Sequence, residues 1–285
     1  MANLKEIRNR ISSVSSTMQI TSAMKMVSAA KLKKAQDAIT AMRPYADKLT
    51  ELLQALSATL DADSGSKFAE QRPENKILIV AITSNRGLCG AFNSNIIKEV
   101  SRLTKVYSGK EVSYLAIGKK ANDAFKKTQK VIANKSEVYE ELTFENVAEI
   151  AQLLMDKFTE GQFDKIELVY NRFKNAATQE VMIEQFLPVV PVTSEKNVNL
   201  DYIFEPSKIE IVAQLIPKSL KTQLYKAIRD SFASEHGARM TAMHKATDNA
   251  TELRDQLKLT YNKARQAAIT NEILEIVGGA EALNG

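Results

Sequence analysis

Several scarcities in this 285-residue sequence exclude whole classes of protein and site. The single cysteine, Cys89, excludes a disulfide within the chain and is typical of a reducing compartment. No run of about 18 apolar residues occurs, so we predict no membrane-spanning helix. Residues 1–10 lack the apolar core of a secretory signal, and we expect none. No aromatic residue precedes Tyr45, so the N-terminal stretch offers no platform on which nucleic-acid bases could stack.

Motifs of known chemistry are also scarce. The one glycine-rich turn after a predicted strand, TSNRGLCGAFN, matches neither the phosphate loop nor the dinucleotide fingerprint. We therefore interpret Gly87 and Gly90 as packing a tight turn close to a sheet, and Cys89 as a small buried hydrophobe. His236 and His244 have no partners at zinc-ligand spacing. We predict no catalytic residue, no metal site and no cofactor.

Two long stretches at the ends of the sequence carry apolar or small residues every three or four positions. A mean period of 3.5 residues is typical of a coiled-coil seam, so we predict a folded-back pair of helices over residues 1–60 and 207–281. Pro44 should kink or interrupt the first helix, Gly237 should weaken the second, and Gly278-Gly279 should end it. The seam positions are Leu4, Ile7, Ile11, Val14, Met18, Thr21, Lys25, Ser28, Leu32, Ala35, Ile39, Met42, Ala46, Leu49, Leu53, Leu56 and Leu60, then Met243, Ala246, Ala250, Leu253, Leu257, Thr260, Ala264, Ala267, Asn271 and Leu274.

Between these helices, residues 76–190 have the pattern of a small α/β domain. KILIVAITS, VSYLAIG and KIELVYNRF are apolar runs typical of strands buried on both faces, and VIANKSEVY is a weaker run. QEVMIEQFLPV alternates like an antiparallel or edge strand. The intervening segments predict helices, one of them capped by Thr143 and stopped at Gly161. Strand–helix alternation predicts a mostly parallel, Rossmann-like sheet.

Charge and a second set of apolar positions mark the outside of the helices. Residues 1–34 hold seven Lys or Arg against one acid, Glu6. Such an excess suits a solvated helix face, an acidic protein partner or nucleic acid. Further apolar or small residues lie beside the seam, and they predict burial against something other than the partner helix. They are Ile20, Ala23, Met24, Val27 and Ala30, then Ile269, Ile273, Ile276 and Val277.

Four segments, in this order, closely resemble the gamma subunits of F-type ATP synthases. They are IRNRISSVSSTMQITSAMKMVSAAKLKKAQ, TSNRGLCGAFN, SEHGARMTAMHKATDNA and ITNEILEIVGGAEAL. The resemblance implies an antiparallel coiled coil of the terminal helices and a central α/β domain. It also implies a non-catalytic rotor shaft that couples proton-driven rotation of the membrane c-ring to conformational cycling of the catalytic beta subunits.

The resemblance also implies partners and site residues. The partners would be three alpha and three beta subunits, the epsilon subunit and the c-ring, with no nucleic acid, at the cytoplasmic face of the bacterial inner membrane. Coupling contacts to beta would be Met24, Lys25, Lys31, Lys33, Lys34, Arg239, Gln266, Thr270 and Glu272. An upper bearing would hold Ile273, Ile276 and Val277. The segment 201–206, with Tyr202, Phe204 and Glu205, would face the c-ring.

Two other interpretations of the residues remain open at this stage. The first is a dinucleotide-binding α/β enzyme with helical arms, although the glycine fingerprint and a ribose-binding acid are missing. The second is a basic coiled-coil protein that binds nucleic acid, against which the lack of aromatics counts.

Overall fold

The computed structural model describes residues 4–57, 67–189 and 208–284. It divides into a helix-pair unit, Met1–Ser28 with Met240–Gly285, and a sheet unit, Ala29–Arg239. The elements are α1 Leu4–Ser57, β1 Lys76–Ile82, α2 Phe92–Val106, β2 Glu111–Ile117, α3 Lys119–Phe125, β3 Val131–Asn134, a 3₁₀ turn Ser136–Tyr139, α4 Phe144–Thr159, β4 Lys165–Phe173, β5 Gln179–Leu187 and α5 Lys208–Asn284.

The five strands form one sheet in the order β3-β2-β1-β4-β5. The first four are parallel, and β5 pairs antiparallel with β4 at one edge, which confirms the predicted mostly parallel sheet and its antiparallel edge strand. Every residue of β1 after Lys76 is buried, because this strand lies in the middle of the sheet and is covered on both faces.

Side-chain alternation along β1 separates two cores. Leu78, Val80 and Ile82 pack with α4 and the first part of α5, whereas Ile77 and Ile79 pack on the α2 and α3 side. This period of two is the expected result for a strand between two helical layers.

Local signals around α4 behave as predicted. Thr143 has extended backbone angles, and its side chain accepts a hydrogen bond from the Asn146 N–H at 3.3 Å. Gly161 follows the helix with a φ of 71°, the left-handed conformation that ends many helices.

The predicted seam of α1 is confirmed by its burial. In the helix-pair unit Ile7, Thr21 and Ser28 are buried, and all three are seam positions. In the sheet unit the buried seam positions of α1 are Leu32, Ala35, Ile39, Ala46 and Leu49.

Two predicted breaks are wrong, an interruption of α1 at Pro44 and an end of α5 at Gly278-Gly279, whereas a kink at Pro44 stays a prediction. Helix α1 runs through Pro44, because the seam is buried on both sides of it and this packing outweighs the loss of one backbone donor. Helix α5 continues past Gly278 and Gly279 to Asn284, and neither glycine has the positive φ of a helix cap.

The predicted seam of α5 is confirmed only in part. Met243 and Ala250 are buried, and Ala246, Leu257 and Ala264 are half-buried. The other predicted positions are exposed: Leu253, Thr260, Ala267, Asn271 and Leu274, the last to 63%. In the described residues α1 begins at Leu4, four positions before Arg8, which bonds to Tyr261. Antiparallel pairing in this register places Asn271 and Leu274 beyond the described start of α1.

Candidate functional site

In the helix-pair unit, α1 and α5 lie antiparallel. As the residue number rises along α1, the number of its bonded partner on α5 falls, which requires antiparallel pairing. The bonded pairs are Arg8 with Tyr261 at 2.7 Å, Met18 with Thr251 at 3.3 Å, and Thr21 with Thr247 at 2.8 Å. The Thr21–Thr247 bond explains how a polar residue occupies the seam, because the two hydroxyls share a hydrogen bond within the interface and each also lies within bonding distance of a carbonyl of its own helix.

The outer face of α1 in this unit is apolar and open. Ile20 is 60% exposed, Met26 64% and Val27 57%. Ala23 is also exposed, and Met24 is half-buried. Exposed aliphatic side chains this close together are costly to hydrate, and apolar patches of this kind are typical of interaction surfaces. The second apolar stripe predicted from the sequence therefore lies on the outside of the pair.

Lys25 is half-buried on this helix pair, and its Nζ lies 3.4 Å from Nδ1 of His244. Lys31, Lys33 and Lys34 belong to the sheet unit and are exposed. Among the residues that the structure describes, no carboxylate lies within 4 Å of these four ammonium groups. None of these four lysines therefore forms an ion pair with a described carboxylate.

Arg239 lies inside the sheet unit, about nine-tenths buried. Its guanidinium donates to the backbone carbonyls of Gly87 and, at 3.5 Å, Arg86, and it pairs with the carboxylate of Glu235 one turn earlier on α5. Burial raises the pKa of Glu235, and the Arg239 charge opposes that rise. Arg239 therefore fastens α5 to the turn after β1, and its predicted contact with a beta subunit stays a prediction.

That turn presents one residue that the sequence did not single out. Leu88 has a φ of 65°, unusual for a side chain with a Cβ, and it is 66% exposed. Next to it Cys89 is buried, as predicted, and burial raises the pKa of its thiol. A strained, exposed leucine is a stronger sign of a contact point than exposure alone.

Gly87 and Gly90 do not pack against the sheet as predicted. A Cβ on Gly90 would meet nothing within 4 Å, and this residue is glycine because its φ is +58°. The close approach is at Gly118, after β2, where a Cβ would lie 2.1 Å from the Thr83 carbonyl oxygen. Sequence periodicity cannot reveal such a contact, because it joins two loops distant along the chain.

Helix α5 fills the place where a parallel sheet of this kind would hold a nucleotide. The chain leaves β1 towards β2 on one side, while β4 lies on the other, so the strand order reverses between β1 and β4. There Ser234 donates to the Asn171 carbonyl of β4 at 3.0 Å, and Ala238 packs with Cys89 and Phe92. The crevice is filled by the chain itself, which removes the structural basis for the dinucleotide-binding interpretation.

Near this contact, His236 is buried without a partner for either ring nitrogen among the described residues. Its ring packs edge-on against Phe232, with centroids 4.5 Å apart. Burial, assisted by the charges of Lys31 and Arg239, lowers the pKa of His236 to about 4. This imidazole is therefore a neutral core group at physiological pH.

Residues 265–281 of α5 are all exposed. Ile273, Ile276 and Val277 are all more than half exposed, and Ile276 reaches 66%. The polar residues Gln266, Thr270 and Glu272 on the same stretch are exposed as well. Tyr202, Phe204 and Glu205 lie outside the described residues. Within residues 4–57, 67–189 and 208–284, no helix has the length and apolar character needed to cross a membrane.

Known proteins of one family resemble this chain over its whole length. The model of the ATP synthase family matches residues 3–283. The chain is 76% identical to an ATP synthase gamma chain of Flavobacterium psychrophilum and 74% identical to that of Flavobacterium johnsoniae, over the full length of each chain.

Solved structures agree in fold. A chain of the central stalk and c-ring of the Tetrahymena thermophila mitochondrial ATP synthase is similar, with a TM-score of 0.59 at 26% identity, covering 80% of this chain and 99% of that chain. A chain of the Euglena gracilis mitochondrial ATP synthase has a TM-score of 0.67 at 21% identity, covering 98% of this chain and 94% of that chain.

Proposed function

The chain belongs to the family of ATP synthase gamma chains and serves as the central shaft of that complex, and from this premise we propose how it works. It turns inside a head of three alpha and three beta subunits and binds epsilon and the membrane c-ring at its other end. Rotation of the c-ring by protons drives ATP synthesis, and ATP hydrolysis drives proton pumping in reverse. The chain itself is non-catalytic and lies at the cytoplasmic face of the bacterial inner membrane.

The exposed apolar face of the helix pair is the observation that carries this proposal. Ile20, Met26 and Val27 are each more than half exposed although the same helix has a well-buried seam. Covering them would gain about 25 cal/mol for each Å² of apolar surface removed from water. Because this attraction has no preferred direction, a surrounding apolar wall can hold the helices and still let them turn. Methionine side chains adapt to such changing contacts.

The lysines supply the interaction that depends on angle. Lys25, Lys31, Lys33 and Lys34 have no carboxylate within 4 Å among the described residues, so they are available to acidic loops of the beta subunits. Met24 lies beside Lys25 and provides the apolar part of the same contact. The basic residues occupy only part of the surface, so each beta subunit meets a different charge as the shaft turns, and this asymmetry sets its conformation.

Arg239 takes part through the turn that it holds. Its bonds to the Gly87 and Arg86 carbonyls fix the strained segment that presents Leu88. We propose that Leu88 enters an apolar pocket of a neighbouring subunit, because an αL leucine costs about 1–2 kcal/mol and needs a compensating contact. In this proposal Arg239 positions Leu88, and the predicted contact of Arg239 with a beta subunit stays a prediction.

The remaining predicted contacts complete the proposal. Gln266, Thr270 and Glu272 would contact beta subunits, and Ile273, Ile276 and Val277 would turn in an apolar bearing, which suits their exposure at the end of α5. Tyr202, Phe204 and Glu205 would face the c-ring. In this scheme residues 1–60 and 207–281 are the coiled coil, and residues 76–190 are the domain that contacts epsilon.

Charge reversal at Lys25 tests the proposal. In Lys25→Glu the side chain would repel acidic beta loops, so we expect proton pumping per ATP hydrolysed to fall several-fold in membrane vesicles, with normal assembly. Lys98→Glu is the matched control, because Lys98 is an exposed lysine on α2 that has no role in the proposal. Subunit composition of the purified complex checks assembly.

Two results would count against this account. Unchanged pumping in Lys25→Glu would remove the role of this lysine. An equal loss in Lys98→Glu would mean that added negative charge anywhere on the chain impairs the complex.

A further inference from the structure

One ring nitrogen in the helix-pair unit has two competing partners. Nδ1 of His244 lies 3.4 Å from Nζ of Lys25 on α1 and 3.3 Å from Oδ2 of Asp248, one turn further along α5. His244 and Asp248 are both more than half exposed, so the ring exchanges protons freely with solvent. The sequence had suggested no role for this histidine.

The two partners need opposite states of the same atom. An ammonium group has only donors and an ionised carboxylate has only acceptors. The neutral ring with its proton on Nε2 accepts from Lys25 at Nδ1 and offers nothing to Asp248. The protonated ring carries a hydrogen on both nitrogens, so Nδ1 donates to Asp248, and its charge repels Lys25.

The charged groups beside the ring come from two helices. The elements that pack here are α1 and α5: α1 contributes Lys25, and α5 contributes Asp248 and the neighbouring exposed Lys245. The adjacent cross-helix contact is the uncharged Thr21–Thr247 pair.

We propose that protonation of His244 breaks the hydrogen bond from Lys25 to Nδ1 and lets Nδ1 donate to Asp248 instead. His244 is then a positioning residue for Lys25. At higher pH the ring holds the ammonium group against the helix pair. At lower pH the ammonium group is free and a second positive charge stands beside it, which strengthens attraction to an acidic surface. The effect on the motor rests on the proposed coupling role of Lys25, whereas the exchange of partners does not.

Ring NMR of the full-length chain tests the exchange directly. The chain has only two histidines, and a His244→Gln variant assigns the signal of His244. In the wild type we expect the neutral ring to carry its proton on Nε2, read from the ¹⁵N shifts. Asp248→Asn should reduce the ratio of protonated to neutral ring at pH 6.5 by about twofold, and Lys25→Met should raise it by about twofold, as exposed charge pairs do. Lys245→Met is the matched control and should change this ratio less than Lys25→Met.

The outcomes distinguish the exchange of partners at His244 from the proposed coupling role of Lys25. Equal ratios in the wild type, Asp248→Asn and Lys25→Met would overturn it, and so would a wild-type proton on Nδ1 in the neutral ring. Shifted ratios together with normal pumping by Lys25→Glu would keep the exchange of partners and overturn the coupling role of Lys25.

Discussion

Gly237 makes the sharpest prediction about the packing of α5. Although it sits inside a long helix, it is buried, and a Cβ there would come within 3.2 Å of the Cα and carbonyl oxygen of Ala176. Ala176 lies in the turn between β4 and β5, which is held by Asn175: its side chain accepts from the Ala177 and Thr178 amides at 3.0 and 2.7 Å. The obstacle is therefore a bonded backbone and not the end of a flexible side chain.

The magnitude comes from two opposing effects. Replacing glycine by alanine inside a helix gains about 1 kcal/mol of helix propensity. Overpacking against a rigid neighbour costs about 1–3 kcal/mol. We expect Gly237→Ala to lower the free energy of unfolding by about 1 kcal/mol, against the direction that propensity alone predicts.

Urea unfolding of the full-length chain, followed by circular dichroism, measures this change. Gly278→Ala is the matched control, because Gly278 is also inside α5 but a Cβ there meets nothing within 4 Å, so this variant should not lose stability. Stabilisation by Gly237→Ala equal to or greater than that of Gly278→Ala would refute the reasoning. It would mean that the β4–β5 turn moves away at no cost.

Three further predictions concern buried groups. Burial lowers the pKa of His236 to about 4 in the folded chain, so as the pH falls below about 6.5 the unfolded chain binds a proton that the folded chain does not. The stability contributed by the neutral ring is complete above that pH, and the free energy of unfolding should fall by about 2 kcal/mol between pH 7 and 5. Urea unfolding should not find this loss in His236→Leu. Cys89 should resist a thiol reagent such as DTNB in the folded chain and react once urea exposes it; fast reaction in the native chain would contradict its burial. Gly118→Ala should prevent or severely destabilise folding, because its Cβ would meet the Thr83 backbone at 2.1 Å, whereas Gly109→Ala, which has a positive φ but open space, should cost only about 1 kcal/mol by thermal unfolding.

Periodic features were predictable from the sequence because they are local. The 3.5-residue spacing identified the buried positions of α1, including the polar seam residues Thr21 and Ser28. Alternation and apolar runs identified the strands and the edge position of β5. A capping residue such as Thr143 bonds to the backbone only three residues later, so the neighbouring sequence is enough to predict it.

Features that depend on close approach between distant segments were not predictable. Gly237 was expected to weaken α5, but its lack of a Cβ admits the turn at Ala176. The family resemblance implied a contact of Arg239 with a beta subunit, but no local pattern revealed its burial against the carbonyls of the turn after β1. Pro44 was expected to kink or interrupt α1, but the helix continues through it, with buried seam positions on both sides.

Rotation of a single molecule tests the central claim most directly. The alpha and beta head is fixed to a surface, and a bead is attached to this chain on an exposed residue of the sheet unit. We predict continuous rotation in one direction when ATP is added, and none without ATP. ATP hydrolysis by the assembled complex with only random motion of the bead would contradict the account.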